Sequence, residues 1–269
     1  MIDYAAAWSK WFPLIQRAAG GLSCCMLDAA GIAPGHRVLD LATGIGDPAL
    51  MAAERVGAGG RVLGIDSSAQ MIALARARAG AAGVTNAEFR VMDIDALTLP
   101  PATFDAALCR WGLMFADDLA GTLDQARAAL RPGGRLSVSV WATPDDAPTI
   151  SLAARVAHHA LGLPPPDEGE KTAFALCDIP ALVTAVEMAK FDAVNVQKVP
   201  VIFEFASPEE YVAYRREIST PLAAVIAKQS ETRQTAAWQT VARAVEAFRS
   251  SAGTIRMENQ AYCLSAARP

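Results

Sequence analysis

Apolar runs and helical stripes alternate through the first half of the chain. Val38, Leu39 and Leu41 form one short apolar strand, and RVLGID (61–66) reads as a second. In SSAQMIALARARA (67–79), Met71, Ile72, Leu74 and Ala75 fall at helical spacing. EFRVMDIDAL predicts a third strand ending at Asp93, TFDAALCRWGLMF a fourth, and LRPGGRLSVSVWA a glycine turn leading into a fifth. Strands alternating with helices in this way predict an α/β fold with a doubly wound, mostly parallel sheet.

The two ends of the chain are patterned differently. Residues 4–30 predict two helices, a front piece carrying Trp8, Trp11, Phe12, Leu14 and Ile15, then Leu22 to Ala30. Beyond Ala142 the pattern loosens into a helix (151–163) and PPPDEGE, a proline-stiffened loop. A helix follows over DIPALVTAVEMAKF, with Leu182, Val186 and Met188 expected inward. A long strand then covers 193–206. Two amphipathic helical stretches fill 207–229 and 231–251, the first opening on a Ser207/Glu210 capping box, before a last strand over 254–268.

The chemistry is concentrated in VLDLATGIGDPAL (38–50), a strand running into a glycine turn and a helix. Gly44 and Gly46 let the backbone turn tightly and approach a ligand. Such a turn leaves backbone N–H groups at the mouth of the sheet, where open α/β folds bind nucleotides. With Ala49 in third place the pattern G-x-G-x-x-A also admits a nicotinamide dinucleotide. Asp40 speaks against that, because a carboxylate at the strand end repels a pyrophosphate and suits an ammonium or sulfonium. Asp47, beside Pro48, reads as a cap for the following helix.

With Asp40, Gly44 and Gly46 in the form D-x-x-x-G-x-G, the chain resembles the class I S-adenosylmethionine-dependent methyltransferases. LDLATGIGDPAL, GIDSSAQMIALAR and ALRPGGRL bring it nearest to the ubiquinone/menaquinone C-methyltransferase-like group. The resemblance implies a Rossmann-like, seven-stranded, mostly parallel sheet with an antiparallel last strand; the helical insertion before that strand must leave and rejoin the sheet at one edge and reads as a helical cap. It implies S-adenosyl-L-methionine as cofactor, with S-adenosyl-L-homocysteine as product and no metal. Asp66 would take both ribose hydroxyls, Met71 would lie against the adenine, and Asp93 would hold the adenine amino group. Ala42, Thr43, Ser67, Ile94 and the exit of the fourth strand, Cys109, Arg110 and Trp111, complete the expected cofactor set. Tyr4 and Trp11 join it if the N-terminal helix folds over the cofactor, where a ring could face the sulfonium. The expected domains are a helical lid (1–30), a core (31–206 and 253–269, with 143–178 contributing to the cap) and a helical cap insertion (207–252).

Several of these residues carry a plainer alternative. Asp66 could cap a helix with Ser67, Asp93 could serve a turn, and Met71 could be ordinary core. Arg110 could hold a carboxylate of cofactor or substrate, or could make a structural ion pair beside a buried Trp111. For catalysis the candidates are His158, His159 and Tyr214; adjacent histidines on a helix point about 100° apart, so at most one faces a given pocket. Tyr211, Tyr214 and Glu217 could line a substrate site or pack.

Composition narrows the picture. Hydrophobic residues make up 52% of the chain and charged ones 19%, enough for a large core. A formal net charge of −4 without a basic patch excludes nucleic acid as partner, and Arg76 and Arg78 read as a solvated helix face. No apolar run reaches the ~20 residues of a membrane span. The five cysteines lack metal-ligand spacing and suit free thiols in a cytoplasmic protein, and Cys24–Cys25 has no third thiol in register. The expectation is an enzyme transferring a methyl group in line to a small, largely hydrophobic or aromatic acceptor, compatible with a homodimer. The alternatives are a non-methylating protein of the same fold, such as a cyclase or binding module, and a nicotinamide-dependent reductase.

Overall fold

Seven strands form one sheet because their apolar runs are bounded by turns and separated by helices long enough to cross back. They are β1 (Arg37–Leu41), β2 (Arg61–Asp66), β3 (Ala87–Val91), β4 (Phe104–Arg110), β5 (Leu130–Trp141), β6 (Asp192–Phe205) and β7 (Ile255–Ala267). Their order is β3-β2-β1-β4-β5-β7-β6. The first five run parallel, and β7 pairs antiparallel with β5, Val138 opposite Leu264. The computed structural model describes residues 4–166 and 172–269, without the side chain of Tyr4. Residues 167–170 of the proline-rich loop lie outside that range, while 164–166 form neither helix nor strand.

Burial follows position in the sheet. In β1, β2 and β4 successive residues are buried with almost no alternation, as strands covered on both faces require. At the edges, β3 buries Phe89 alone, and β6 buries alternate residues only near its end. The helices are α1 (Tyr4–Ala29), α2 (Ala49–Val56), α3 (Ala69–Ala81), α4 (Leu119–Ala129), α5 (Pro148–Ala160), α6 (Ile179–Met188), α7 (Pro208–Ile218), α8 (Thr220–Ala227) and α9 (Glu231–Val245).

Three local expectations change. The N-terminal region is one 26-residue helix and not two, running through Pro13 and the Gly20–Gly21 pair. Its apolar stripe continues across the glycines, with Ile15, Ala19, Leu22 and Met26 all buried. That burial outweighs the ~1 kcal/mol of helix propensity each glycine forfeits. Met188 is 72% exposed, not inward. Leu182 and Val186 share the buried face at i, i+4, and Met188 stands about 200° round from Val186. The first stretch of the 207–252 segment divides into α7 and α8 where Pro221 opens a new helix.

The molecule comprises two compact units: Met1–Gly20, Thr143–Glu168 and Pro200–Gln260 in one, and Gly21–Ala142, Gly169–Val199 and Ala261–Pro269 in the other. In the first, α5 and α7 pack on α9. Phe203, Phe205, Tyr211 and Tyr214 form its aromatic core. Buried Asn259 is fully used there, accepting from Thr149 N and donating to Thr149 Oγ1, Val201 O and Met257 O. Ser207 caps α7 by accepting from Glu210 N, and the Glu210 carboxylate accepts from Ala206 N.

The second unit holds most of the sheet, and one of its close contacts lies beneath the glycine turn. A Cβ at Gly64 of β2 would stand 2.7 Å from the Phe89 ring and 2.9 Å from Thr43 Oγ1. Gly64→Ala is therefore expected to destabilise by roughly 1–3 kcal/mol, read as a lower urea midpoint with an unchanged m-value.

Candidate functional site

The turn after β1 is built on left-handed backbone. Ala42 (φ 51°), Gly44 (φ 57°) and Gly46 (φ 91°) occupy that region within five residues. For alanine the conformation costs about 1–2 kcal/mol, and the surroundings hold it in place. Thr43 N donates to Ile65 O (2.8 Å), Gly46 N to Thr43 O (2.9 Å) and Gly44 N to the Asp66 carboxylate (2.9 Å). The two glycines have different tasks. A Cβ at Gly44 would meet nothing within 4 Å, so the backbone there faces open space. One at Gly46 would press at 3.3 Å on Ala75 and Phe89, so Gly46 serves packing.

Asp40 lies under this turn with no solvent exposure. Its Oδ2 accepts from Thr43 Oγ1 (2.6 Å) and from the backbone N–H of Ala49 (3.2 Å), the first residue of α2. Asp40, not Asp47, therefore supplies the side-chain cap at the start of this helix. Its Oδ1 is buried without a partner. Burial pushes the carboxyl up to about 7, a rise that the Thr43 hydrogen bond and the nearby Arg110 charge oppose.

Arg110, at the end of β4, makes the structural ion pair. Its Nη1 lies 2.8 Å from Asp47 Oδ2, with the two side chains 6% and 4% exposed, and donates to Ser23 Oγ at 2.6 Å. Arg78 of α3 donates to Ile45 O, within the glycine turn. It is half-buried rather than solvated, and burial draws its pKa below the ordinary arginine value. Arg76 stays exposed while donating to Phe89 O.

Asp66 ends β2 half-buried, each oxygen accepting one backbone N–H, from Gly44 and from Ser68. Each carboxylate oxygen has about two acceptor positions, so one remains on each. The cap of α3 is Ser68, whose Oγ accepts from Met71 N (3.3 Å), and Ser67 is exposed. Met71 is buried, Ile94 is buried and Asp93 is exposed, accepting from Asp95 N. Asp95 is half-buried and accepts from Thr122 Oγ1 and from the N–H groups of Asp117 and Asp118 before α4.

At the exit of β4, Trp111 has φ 56° and stacks on Trp141 with ring centres 4.3 Å apart. Its indole Nε1 is buried without a partner. Gly112 fits where a Cβ would come within 2.4 Å of the Ala42 side chain. Cys109 is fully buried, and burial pushes its thiol up to about 12, which rules out a thiolate role at neutral pH.

The remaining candidates lie in the helical unit. Trp11 is buried edge-on to Tyr214, donates to Glu217 Oε2 (2.8 Å), and has Lys10 Nζ 4.8 Å from its ring centre. Tyr211 and Tyr214 are buried in the aromatic core. His158 Nδ1 lies 2.6 Å from Pro164 O, and His159 is exposed. The side chain of Tyr4 lies outside the described part of the structure. Ser23, Asp47, Arg78 and Asp95 carry no local sequence signal, because each acts on a partner more than twenty residues away. Among the described residues no group of three or more His, Cys, Asp or Glu is placed to hold a metal ion. Among the described residues no helix is long and apolar enough to cross a membrane.

The strand order, the left-handed turn after β1 and the acid ending β2 define the class I methyltransferase fold. Residues 38–134 match the family described as "Methyltransferase domain". The chain is 42% identical over 110 residues to the demethylmenaquinone methyltransferase of Thermus thermophilus, covering 40% of this chain and 48% of that protein. It is 34% identical over 120 residues to the arsenite methyltransferase of Halobacterium salinarum, covering 44% and 31%. The chain thus matches less than half the length of these curated relatives. Its fold is similar to that of the [4+2]-cyclase SpnF, with a TM-score of 0.59 and 21% identity over 94% of this chain and 82% of that one.

Two outcomes follow from the buried charges. Because the folded pKa of Asp40 is raised, its contribution to stability is complete below pH 4 and is lost as pH rises towards 7. Across that window it should amount to about 4 kcal/mol, and Asp40→Asn should abolish the corresponding decline in urea midpoint. Arg110→Met strands the Asp47 carboxylate and should cost roughly 3–5 kcal/mol, whereas Arg110→Met with Asp47→Leu should recover most of it in thermal or urea unfolding.

Proposed function

We propose that the protein is an S-adenosylmethionine-dependent methyltransferase acting on a small, largely hydrophobic or aromatic acceptor. The observation that carries this reading is the placement of Asp40. A dinucleotide of this fold lays its pyrophosphate on the N–H groups opening the helix after β1. Here Asp40 already takes the Ala49 N–H and brings a carboxylate to that helix end. With that N–H already taken and an acid that ionises near neutrality beside it, a phosphate is disfavoured, which argues against the nicotinamide-dependent reductase.

The residues present fit the cofactor. Asp40 has a buried oxygen without a partner, Gly44 faces open space, and Asp66 retains one acceptor position on each oxygen for a pair of hydroxyls. Met71, Asp93 and Ile94 would hold the base. Ala42, Thr43, Cys109 and Trp111 would line the remainder, while Arg110 holds the turn from behind. When bound, the cofactor supplies a methyl group on a sulfonium, already activated towards nucleophiles. The chain then has to bind, orient and keep water out, and needs no dedicated base for an acceptor already nucleophilic. The similarity to a demethylmenaquinone methyltransferase supports an aromatic acceptor.

In this reading the segments 1–30 and 207–252, with 143–178, act as lid and cap and select the acceptor, and the core binds the cofactor. The five cysteines are free, which suits the reducing cytoplasm. A second reading, a protein of this fold that does not methylate, has the fold of the [4+2]-cyclase SpnF in its favour. Turnover of S-adenosylmethionine to S-adenosylhomocysteine in the presence of acceptor separates the two.

Thermal unfolding with S-adenosylhomocysteine, and separately with NADH and NADPH, tests the cofactor. A rise with the first alone is expected, about 2.7 kcal/mol at a hundredfold excess over its dissociation constant. Asp66→Ala should weaken that binding by roughly 1.5–3 kcal/mol, on the order of tenfold to a hundredfold. Equal affinity in parent and variant would remove Asp66 from the ribose.

A further inference from the structure

The helical unit contains a buried arginine of its own, and among the described residues this one has no counter-charge. Arg215, in the last turn of α7, is 4% exposed. Its Nη2 donates to the carbonyl oxygen of Ile150 at 3.0 Å, and its Nε is buried without a partner. Among the described residues no carboxylate forms an ion pair with it. A guanidinium removed from water in this way is costly unless paired. Arg110 shows how the same chain neutralises a buried arginine, with Asp47 at 2.8 Å. Arg216, next to Arg215, is exposed and lies over Trp238.

The Ile150 carbonyl and the Tyr214 ring offset the charge of Arg215 only in part. Ile150 belongs to the first turn of α5, the end at which a helix carries partial positive charge. The flanking groups are aromatic: the Tyr214 ring centre lies 5.9 Å from the guanidinium carbon. Tyr211, also beside the arginine, uses its hydroxyl to donate to Thr149 O. An unpaired fork of donors beside tyrosine rings and a positive helix end is the chemistry of a site for an anion on an aromatic body.

We propose that Arg215 is a recognition residue for a carboxylate carried by the small-molecule acceptor, bound side-on through Nε–H and a neighbouring Nη–H. The word acceptor rests on the methyltransferase reading; the carboxylate site itself stands on Arg215 alone. The substrate class then narrows from a hydrophobic or aromatic molecule to an aromatic acid.

Benzoate serves as probe and benzamide as its neutral counterpart. In thermal unfolding of the whole protein, benzoate at about tenfold its dissociation constant should raise the midpoint on the order of 2–4 °C, and benzamide should not. Arg215→Met should abolish the benzoate effect, keep the S-adenosylhomocysteine effect, and unfold no lower than the parent, because an apolar chain replaces an unpaired charge. Arg215→Lys, which keeps the charge but not the fork, should weaken benzoate about tenfold. Equal shifts with benzoate and benzamide, or no shift with either, would overturn the site. So would a methionine variant that still responds to benzoate, or one whose midpoint falls sharply, which would make Arg215 structural. A benzoate effect without any S-adenosylhomocysteine effect would uphold the carboxylate site and overturn the methyltransferase reading.

Discussion

A single carboxylate ties together the strand, the turn and the helix of the candidate site. Asp40 leaves the last stretch of β1 pointing into a dry interior, and there it meets the Thr43 hydroxyl and the first amide of α2. Each of these contacts fixes a different part of the motif: Thr43 the turn, Ala49 the direction in which the helix departs. Neither can shift without exposing the other's donor, since a buried hydrogen-bonding group left unmade costs ~1–3 kcal/mol. The price is a carboxyl that ionises only near neutrality. Much else in the site is arranged around keeping that group tolerable, Arg110 and its attraction included.

A second layer holds the turn from outside. Asp47 pairs with Arg110, which in turn reaches Ser23 on the C-terminal part of α1, and Arg78 reaches across from α3 to the carbonyl of Ile45. Helix, turn and strand end are thus joined by charged groups that have largely left solvent. Two arginines that a sequence reader assigns to ligand or to water are spent on architecture. Arg215, equally buried, is not spent in this way.

The sheet was legible because its signals are local. Apolar runs punctuated by glycine turns identify β1 to β5, and Asp40, Gly44 and Asp66 come together around the turn after β1. Helix ends were harder, since Gly20–Gly21 looks like a break until the burial on both sides is known, and Met188 looks internal until its phase against Val186 is counted. Pairings across the chain left no trace at all in the sequence. The Asp47–Arg110 contact spans sixty-three positions, and nothing near either residue announces the other. The same is true of Asp95, whose carboxylate organises the approach to α4 from the far side of β4.

Ala42 and Trp111 adopt a backbone conformation that glycine would reach more easily, and Gly112 is the small residue fitted against Ala42. An alanine and a tryptophan have far fewer conformations to lose than glycine when the chain folds. The strain they carry is therefore exchanged for order that exists before any ligand arrives. A flexible loop would be rigidified by its ligand, at the expense of affinity; a turn already ordered by Ala42, Trp111 and Gly112 leaves less of that cost to binding.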